Sequence, residues 1–310
     1  MQIGIALAGG GASGGAHAGV LQALLEERVP LHAASGTSSG AVVAGLFAAG
    51  LTVERMLQLL PTLTKRHIDL DANALTRLLR RQPLEGVVKG DRLQSFLRQH
   101  IGSIALCDVT LPLAIAATDL QTGGEVVFAS RDCPAPLVHS VGLAEGNPLW
   151  TTVHSAPLAL AIRASLGIPL VFKPVLYKDL ILSDGGLVDN CPVAPLRALA
   201  TDFVIAVDTI TPFLRYEDRL PLHFRHMIAQ MINIGLARHA ATASLQADLF
   251  LTPSVGPIGA LDFPRLQSVA DQGYEYTRSH MPAIRRALSQ AQEKWEHKWS
   301  RSGSGESIGG

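Results

Sequence analysis

Three stretches of this 310-residue chain combine residue types and spacings that could do chemistry. Gly36-Thr37-Ser38-Ser39-Gly40 is a G-x-S-x-G pentapeptide, set between the short run His32-Ala33-Ala34-Ser35 and a small-residue helical run from Ala41 to Ala49. A serine on a sharp strand-to-helix turn has its hydroxyl held out as a nucleophile. Gly36 and Gly40 suit such a turn, where the chain passes close to neighbouring elements and a Cβ would clash. A helix that starts just after Ser38 aims N–H groups and its positive end at any developing anion. Taken alone, the pattern reads equally well as a turn and helix cap.

The second stretch is near the N-terminus. Ile3-Gly4-Ile5-Ala6-Leu7-Ala8 reads as a buried strand that runs into Gly9-Gly10-Gly11-Ala12-Ser13-Gly14-Gly15, then into a helix with Val20, Leu21, Leu24 and Leu25 on one apolar face. A glycine run in that position exposes consecutive N–H groups, which can cradle a phosphate or an oxyanion. Gly9, Gly11 and Gly14 also match G-x-G-x-x-G, so dinucleotide binding is a competing reading. That reading needs an acidic residue at the end of the second strand. Here the strand ends in Ser35-Gly36-Thr37-Ser38, and Glu26 and Glu27 fall at the end of the intervening helix. A third reading gives the glycines only a helix–strand packing role. The third stretch is Leu180-Ile181-Leu182-Ser183-Asp184-Gly185-Gly186, an apolar strand ending in an aspartate and two glycines. Open α/β sheets collect ligands and reactive groups at the C-terminal ends of their strands. An Asp-Gly turn or a cap for the helix near 192–200 would use the same residues.

Together these stretches resemble the patatin-like phospholipases. The family's glycine-rich oxyanion loop, G-x-S-x-G elbow and D-G-[GA] motif correspond, in the family's order, to Gly9–Gly14, Gly36–Gly40 and Asp184–Gly186. Ala16-His17-Ala18-Gly19-Val20-Leu21 is similar to the family's first helix, and Ala117-Thr118-Asp119-Leu120-Gln121-Thr122-Gly123 to its ATDLxTG strand and turn. Ala161-Ile162-Arg163-Ala164-Ser165, with Ile168-Pro169 and Val171-Phe172, is similar to its AIRAS…IP…VF segment. Bacterial members commonly carry Arg or Lys where this chain has Ser13, so the loop here has no charge of its own.

The resemblance implies a Ser-Asp dyad. Ser38 would attack an ester carbonyl, and Asp184 would take its proton and later activate water. Amides of the loop (Gly9, Gly10, Gly11, Ser13 and Gly14) would hold the oxyanion, a contribution of roughly 3–4 kcal/mol per donor in hydrolases of this kind. Burial of Asp184 would raise its basicity toward a useful value. A Ser-Asp-His triad is the alternative, because His223, His226, His239, His280 and His297 all follow Asp184 in the chain. None of them sits in a recognisable Gly-rich loop after a strand. His17 reads as helix packing. The substrate implied is a phospholipid or lysophospholipid carboxyl ester. A short-chain carboxylesterase without lipid preference and a catalytically inactive lipid-binding module are the other readings.

Composition fits an enzyme with a large buried core. Hydrophobic residues make up 47% of the chain and charged residues 17%, and the formal net charge is zero. That balance implies no general attraction to nucleic acid. Cys107, Cys133 and Cys191 are odd in number and lack metal-ligand spacing, so reduced core thiols and no metal or other cofactor are expected. A first strand at Ile3 leaves no room for a leader, and the apolar runs are shorter than a membrane span. The expected location is cytoplasmic with peripheral contact at a membrane, and no feature sets an oligomeric state.

Strand and helix patterns alternate as a parallel sheet requires. Strands are expected near 3–8, 32–36, 111–118, 125–129, 170–176, 179–183, 203–208 and 248–252. Helices are expected near 15–28, 39–49, 52–60, 91–100, 154–166, 192–200, 222–246 and 266–298. The pair 111–118 and 125–129 reads as a hairpin across Thr122-Gly123-Gly124, which makes the sheet mixed. The expected fold is a three-layer α/β/α arrangement with a mixed, mainly parallel central sheet. Residues 1–299 read as one domain, with 61–110 as a cap insertion and 300–310 as a disordered tail. Lys65, Arg66, Arg77, Arg80, Arg81 and Lys89 outnumber Asp69, Asp71 and Glu85 in the cap, which suits anionic lipid headgroups. An ordinary solvated insertion would read the same way. Residues 142–150 and 212–222 are further candidate loops near the site, and Trp150 could line an acyl pocket or simply pack.

Overall fold

Alternation of large and small apolar residues along the first strands decides the layering. In the computed structural model, which describes residues 1–73, 80, 86–135, 137–138, 147–148, 150–209 and 224–302, strand β1 (Ile3–Leu7) is buried along its whole length. Ile3, Ile5 and Leu7 point to one face with Ile115, Ala117, Phe203, Ile205 and Val207. Ala6, Ala33, Val204 and Ala206 point to the other. A continuous apolar strand that is covered on both faces is the signature of a parallel sheet wrapped in helices. The bulky face packs against α1 (Ala16–Glu26), α2 (Ser39–Ala48), α3 (Val53–Leu59), α4 (Asp91–Ile101), α5 (Leu158–Ser165) and the C-terminal helix α8 (Leu266–Ser302). The small-residue face packs against α6 (Val193–Ala198) and α7 (Phe224–Gln246).

The main sheet runs β11 (Leu249–Leu251), β10 (Phe203–Val207), β1, β2 (Ala33–Gly36), β3 (Leu113–Asp119), β4 (Glu125–Ala129) and β7 (Trp150–Val153). The pairs from β11 to β3 are parallel, as is β4 with β7, whereas β3 and β4 form the expected antiparallel hairpin. The short strands β5 (Leu137–Val138) and β6 (Asn147–Pro148) pair with each other apart from the main sheet. The fold is therefore the three-layer, mixed and mainly parallel α/β/α arrangement expected from sequence.

One topological detail positions the site. Strand β9 (Leu180–Asp184), paired in a hairpin with β8 (Val175–Tyr177), is antiparallel to the last residues of β3, with Asp184 opposite Ala117. Strand β2 is parallel to the first residues of β3, with Gly36 opposite Ile115. On β3, then, β2 and β9 run toward each other and stop two residues apart. The turn that leaves the end of β2 is thereby brought against the end of β9.

Two expectations shift. The strand expected at 170–176 is instead a turn through Ile168–Phe172 followed by β8, because Pro169 and Pro174 interrupt the ladder. Cys107 is exposed, whereas Cys133 and Cys191 are the buried thiols. In the 61–110 segment, α4 buries Phe96 and Leu97 in the main core. The buried Arg163 donates to the Lys89 and Lys173 carbonyls, and Asp71 pairs with Lys173 at 2.7 Å. Residues 74–79 and 81–85, which hold Arg77, Arg81 and the interleaved leucines, lie outside the described residues, as do most of 142–149 and all of 212–222. Trp150 is core packing: it is buried beside Val127 and donates to the Cys133 carbonyl. Among the described residues, no helix is long and apolar enough to cross a membrane.

Candidate active site

Ser38 follows β2 and caps α2 with φ 52° and ψ −121°, a conformation that non-glycine residues adopt only when the surroundings enforce it. The enforcement is visible. A Cβ at Gly40 would collide with the Leu7 carbonyl, so the first turn of α2 can lie directly on β1. The Ser38 N–H donates to Ser165 Oγ at 2.8 Å, Thr37 N–H to the Leu7 carbonyl, and Thr37 Oγ1 to the Asp189 carbonyl. Each flank of the elbow is tied to a different element.

Asp184 closes β9. Ser38 Oγ donates to Asp184 Oδ2 at 2.9 Å, across 146 positions of chain. The other carboxylate oxygen accepts the Gly186 N–H at 2.8 Å. The Asp184 carbonyl accepts Thr118 Oγ1, and its N–H donates to the Gly167 carbonyl. Gly185 sits over the gap between β2 and β9, where a Cβ would run into the Ala116 carbonyl. Both Ser38 and Asp184 are buried. Burial pushes Asp184 up from its ordinary 3.8 to about 6, against the lowering effect of the hydrogen bonds from Gly186 and Ser38. A carboxyl at that value is mostly ionised at neutral pH yet basic enough to accept a proton.

The glycine loop lies alongside. A Cβ at Gly9 would stand 3.0 Å from Ser38 Cβ and 2.6 Å from Asn190 Oδ1, so this backbone skirts the serine. Gly9 is held on both sides by Asn190, whose carbonyl accepts its N–H and whose Nδ2 donates to its carbonyl. Gly11 has φ 62°, the left-handed region that favours glycine. No described residue accepts the Gly10 or Gly11 N–H. Ser13 faces inward: its hydroxyl donates to the Gly10 carbonyl at 2.9 Å and lies 3.1 Å from Thr209 Oγ1. Gly14 faces Ser39, the residue after the serine, and a Cβ there would strike the Ser39 side chain.

Among the described residues, no histidine is hydrogen-bonded to the Ser38 or Asp184 side chain. His17 is buried beneath the loop and hydrogen-bonded through Nε2 to the Ala8 carbonyl at 2.7 Å, and burial lowers it to about 4, so it is neutral. His239, on α7, reaches the Gly186 backbone and is lowered by burial. His280 is exposed and stacks on Tyr276. His297 is exposed as well, and of the remaining two, His223 lies outside the described residues, as does the side chain of His226. Glu26 and Glu27, which mattered to the dinucleotide reading, face Tyr274, Arg278 and Arg285 of α8.

Sequence reasoning missed Ser165, Thr118 and Asn190, which hold the three stretches in register, and a half-buried pair of acids. Glu125 opens β4 and is pushed to about 8 by burial and by the charge of Asp189, which burial itself raises to about 6. Ser165, Thr118 and Asn190 all lay in segments the sequence singled out, Asn190 in the run Leu187-Val188-Asp189-Asn190-Cys191-Pro192 after Asp184, but nothing in those segments marked their roles.

Comparison with known proteins places the chain in a family. A family model described as patatin-like phospholipase matches residues 5–197, which contain all three stretches. An NTE family protein of Mycobacterium bovis is 32% identical over 207 residues, covering 66% of this chain and 48% of the relative. A lysophospholipase of Neurospora crassa is 22% identical over 312 residues, covering 91% of this chain and 18% of the relative. The chain thus spans half or less of the length of these relatives. Among solved structures, VipD from Legionella pneumophila aligns with 14% identity and TM-score 0.45, over 90% of this chain and 67% of VipD. Human GIVD cytosolic phospholipase A2 aligns with 12% identity and TM-score 0.43, over 94% of this chain and 59% of the enzyme. On the sequence match across more than half its length, the chain belongs to the patatin-like phospholipase family.

Proposed function

We propose that this chain is a serine acyl-hydrolase that cleaves carboxyl esters of phospholipids or lysophospholipids through a Ser38–Asp184 dyad. The observation that carries the reading is the 2.9 Å contact from Ser38 Oγ to Asp184 Oδ2. Ser38 Oγ adds to the ester carbonyl carbon as its proton passes to Asp184. The resulting oxyanion takes hydrogen bonds from the Gly10 and Gly11 amides. Collapse breaks the ester C–O bond, and Asp184 returns the proton to the departing alcohol. An acyl group is left on Ser38. Water then loses a proton to Asp184 and attacks the acyl carbonyl. A fatty acid leaves and Ser38 regains its proton, so one carboxyl serves as base and acid in both halves.

Contact with a lipid surface and a cytoplasmic location belong to this reading. So does the extent of the domain over 1–299. Its test is mass-spectrometric profiling of lipids incubated with wild-type protein and with Ser38→Ala. Release of fatty acid from phospholipid or lysophospholipid by wild type alone is expected. A rate that falls steadily with acyl length on p-nitrophenyl esters, with no release from lipids, would replace the lipid reading with a short-chain carboxylesterase.

A further inference from the structure

Helix α7 is apolar on the side that packs and again on the side that does not. Its inner stripe is Leu236, His239 and Ala243. Leu236 lies against Gly186, His239 reaches the Gly186 backbone, and Ala243 is buried with Val193, Leu196 and Ala206. Its outer stripe carries Met227, Met231, Ile234 and Leu245, which are 44%, 71%, 54% and 88% exposed. The spacing 227, 231, 234 is one face of a helix, and 238, 241 and 245 continue it. From Met227 to Leu245 the stripe is about 27 Å long at the rise of an α-helix. Leu187, on the turn beneath the helix, adds another exposed apolar side chain. Exposed patches of this kind mark sites of contact rather than ordinary surface.

Charge selects the occupant. The 23 residues of α7 include Arg225 and Arg238 and no aspartate or glutamate, and Arg238 is exposed on the outer stripe. An apolar stripe on a helix whose own charged residues are all basic fits an anionic lipid surface, in which such a helix lies flat with its apolar face among the acyl chains. The helix rests on the turn that follows Asp184, and the dyad beneath it is buried. We infer that the outer face of α7 is the surface by which this protein sits on an anionic phospholipid layer, so that a lipid reaches Ser38 without crossing bulk water. The inference rests on the lipid-hydrolase reading for its purpose, but not for its test.

Vesicle binding is measured by flotation with Ser38→Ala protein, which cannot consume the vesicles. The vesicles are phosphatidylcholine alone or mixed with phosphatidylglycerol. The Ser38→Ala protein is expected to bind the mixed vesicles about tenfold or more tightly than the neutral ones, with each arginine near the surface contributing about 1 kcal/mol. Adding Met231→Gln and Ile234→Gln is expected to weaken binding at least tenfold. Adding Arg238→Gln is expected to weaken it about fivefold, on the anionic vesicles alone. The same substitutions in active protein should leave hydrolysis of p-nitrophenyl butyrate unchanged. Undiminished binding by the Met231→Gln, Ile234→Gln protein overturns the inference. So does a dimer in analytical ultracentrifugation that these two substitutions dissociate while vesicles are ignored, since a second copy would then cover the stripe. Binding without any ester hydrolysis would uphold the surface and sink the hydrolase, and the reverse pattern would do the opposite.

Discussion

At the scale of residues, the proposed chemistry turns on Asp184, whose carboxyl burial raises to about 6. In the proposed dyad Asp184 must be ionised to take the Ser38 proton, so kcat/KM is expected to rise with pH and level off above about 6. A histidine base would place the inflection with that residue, and His17, held near 4, could not supply it. The same shift bears on stability. A carboxyl raised from 3.8 to about 6 on folding favours the folded state below 3.8, and this contribution is lost as pH rises through 6. Asp184→Asn removes the buried charge. Its melting temperature should therefore exceed that of wild type at pH 8, by the equivalent of at most about 3 kcal/mol, and match it near pH 4. Thermal scans at the two pH values check this. A variant equally destabilised at both would show that the hydrogen bonds to Asp184 outweigh its desolvation. Ser38 and Asp184 were legible in sequence because motif chemistry is local. Ser165, Thr118 and Asn190 were not, because their role exists only where distant strands meet.

At the scale of elements, the site is made by two strands halted head to head on β3. Apolar runs and glycine punctuation revealed β1, β2, β3, β4, β9 and β10 nearly to the residue. They did not reveal that β9 is antiparallel to β3, since periodicity carries no strand direction. They also missed β7, whose Trp150-Thr151-Thr152-Val153 is half polar and short. The end of α5 supports the elbow through Ser165. Ser165→Ala leaves the Ser38 N–H buried without an acceptor at a strained position, which costs about 1–3 kcal/mol. Phosphonylation of Ser38 should slow about tenfold or more in that variant, and Ser165→Thr should restore part of the rate. Equal rates for wild type and Ser165→Ala would show that the elbow holds without this bond.

At the scale of the molecule, α8 closes the fold by crossing α1 at contact distance. A Cβ at Gly19 would strike the Ala270 carbonyl, and one at Gly273 the Ala16 carbonyl. Sequence placed α8 but not this crossing, because the two glycines are far apart and each looks tolerable in a helix. Arg278 and Arg285 also reach Glu27 beside the crossing. These arginines are substantially exposed, so screening keeps the pair of contacts to about 1 kcal/mol or less. Backbone overlap is the larger effect. Gly273→Val is expected to lower stability by about 3 kcal/mol or more, and Glu27→Gln by under about 1 kcal/mol, in urea titrations. A reversed order would make charge, not packing, the closure.

The most direct test of the central claim is the rate at which a fluorophosphonate labels Ser38 across pH, in wild type and in Asp184→Asn. Labelling confined to Ser38, rising through about pH 6 and lost in Asp184→Asn while that variant still melts cooperatively, is the expected result. Undiminished labelling of the variant, or none of the wild type, would contradict the dyad.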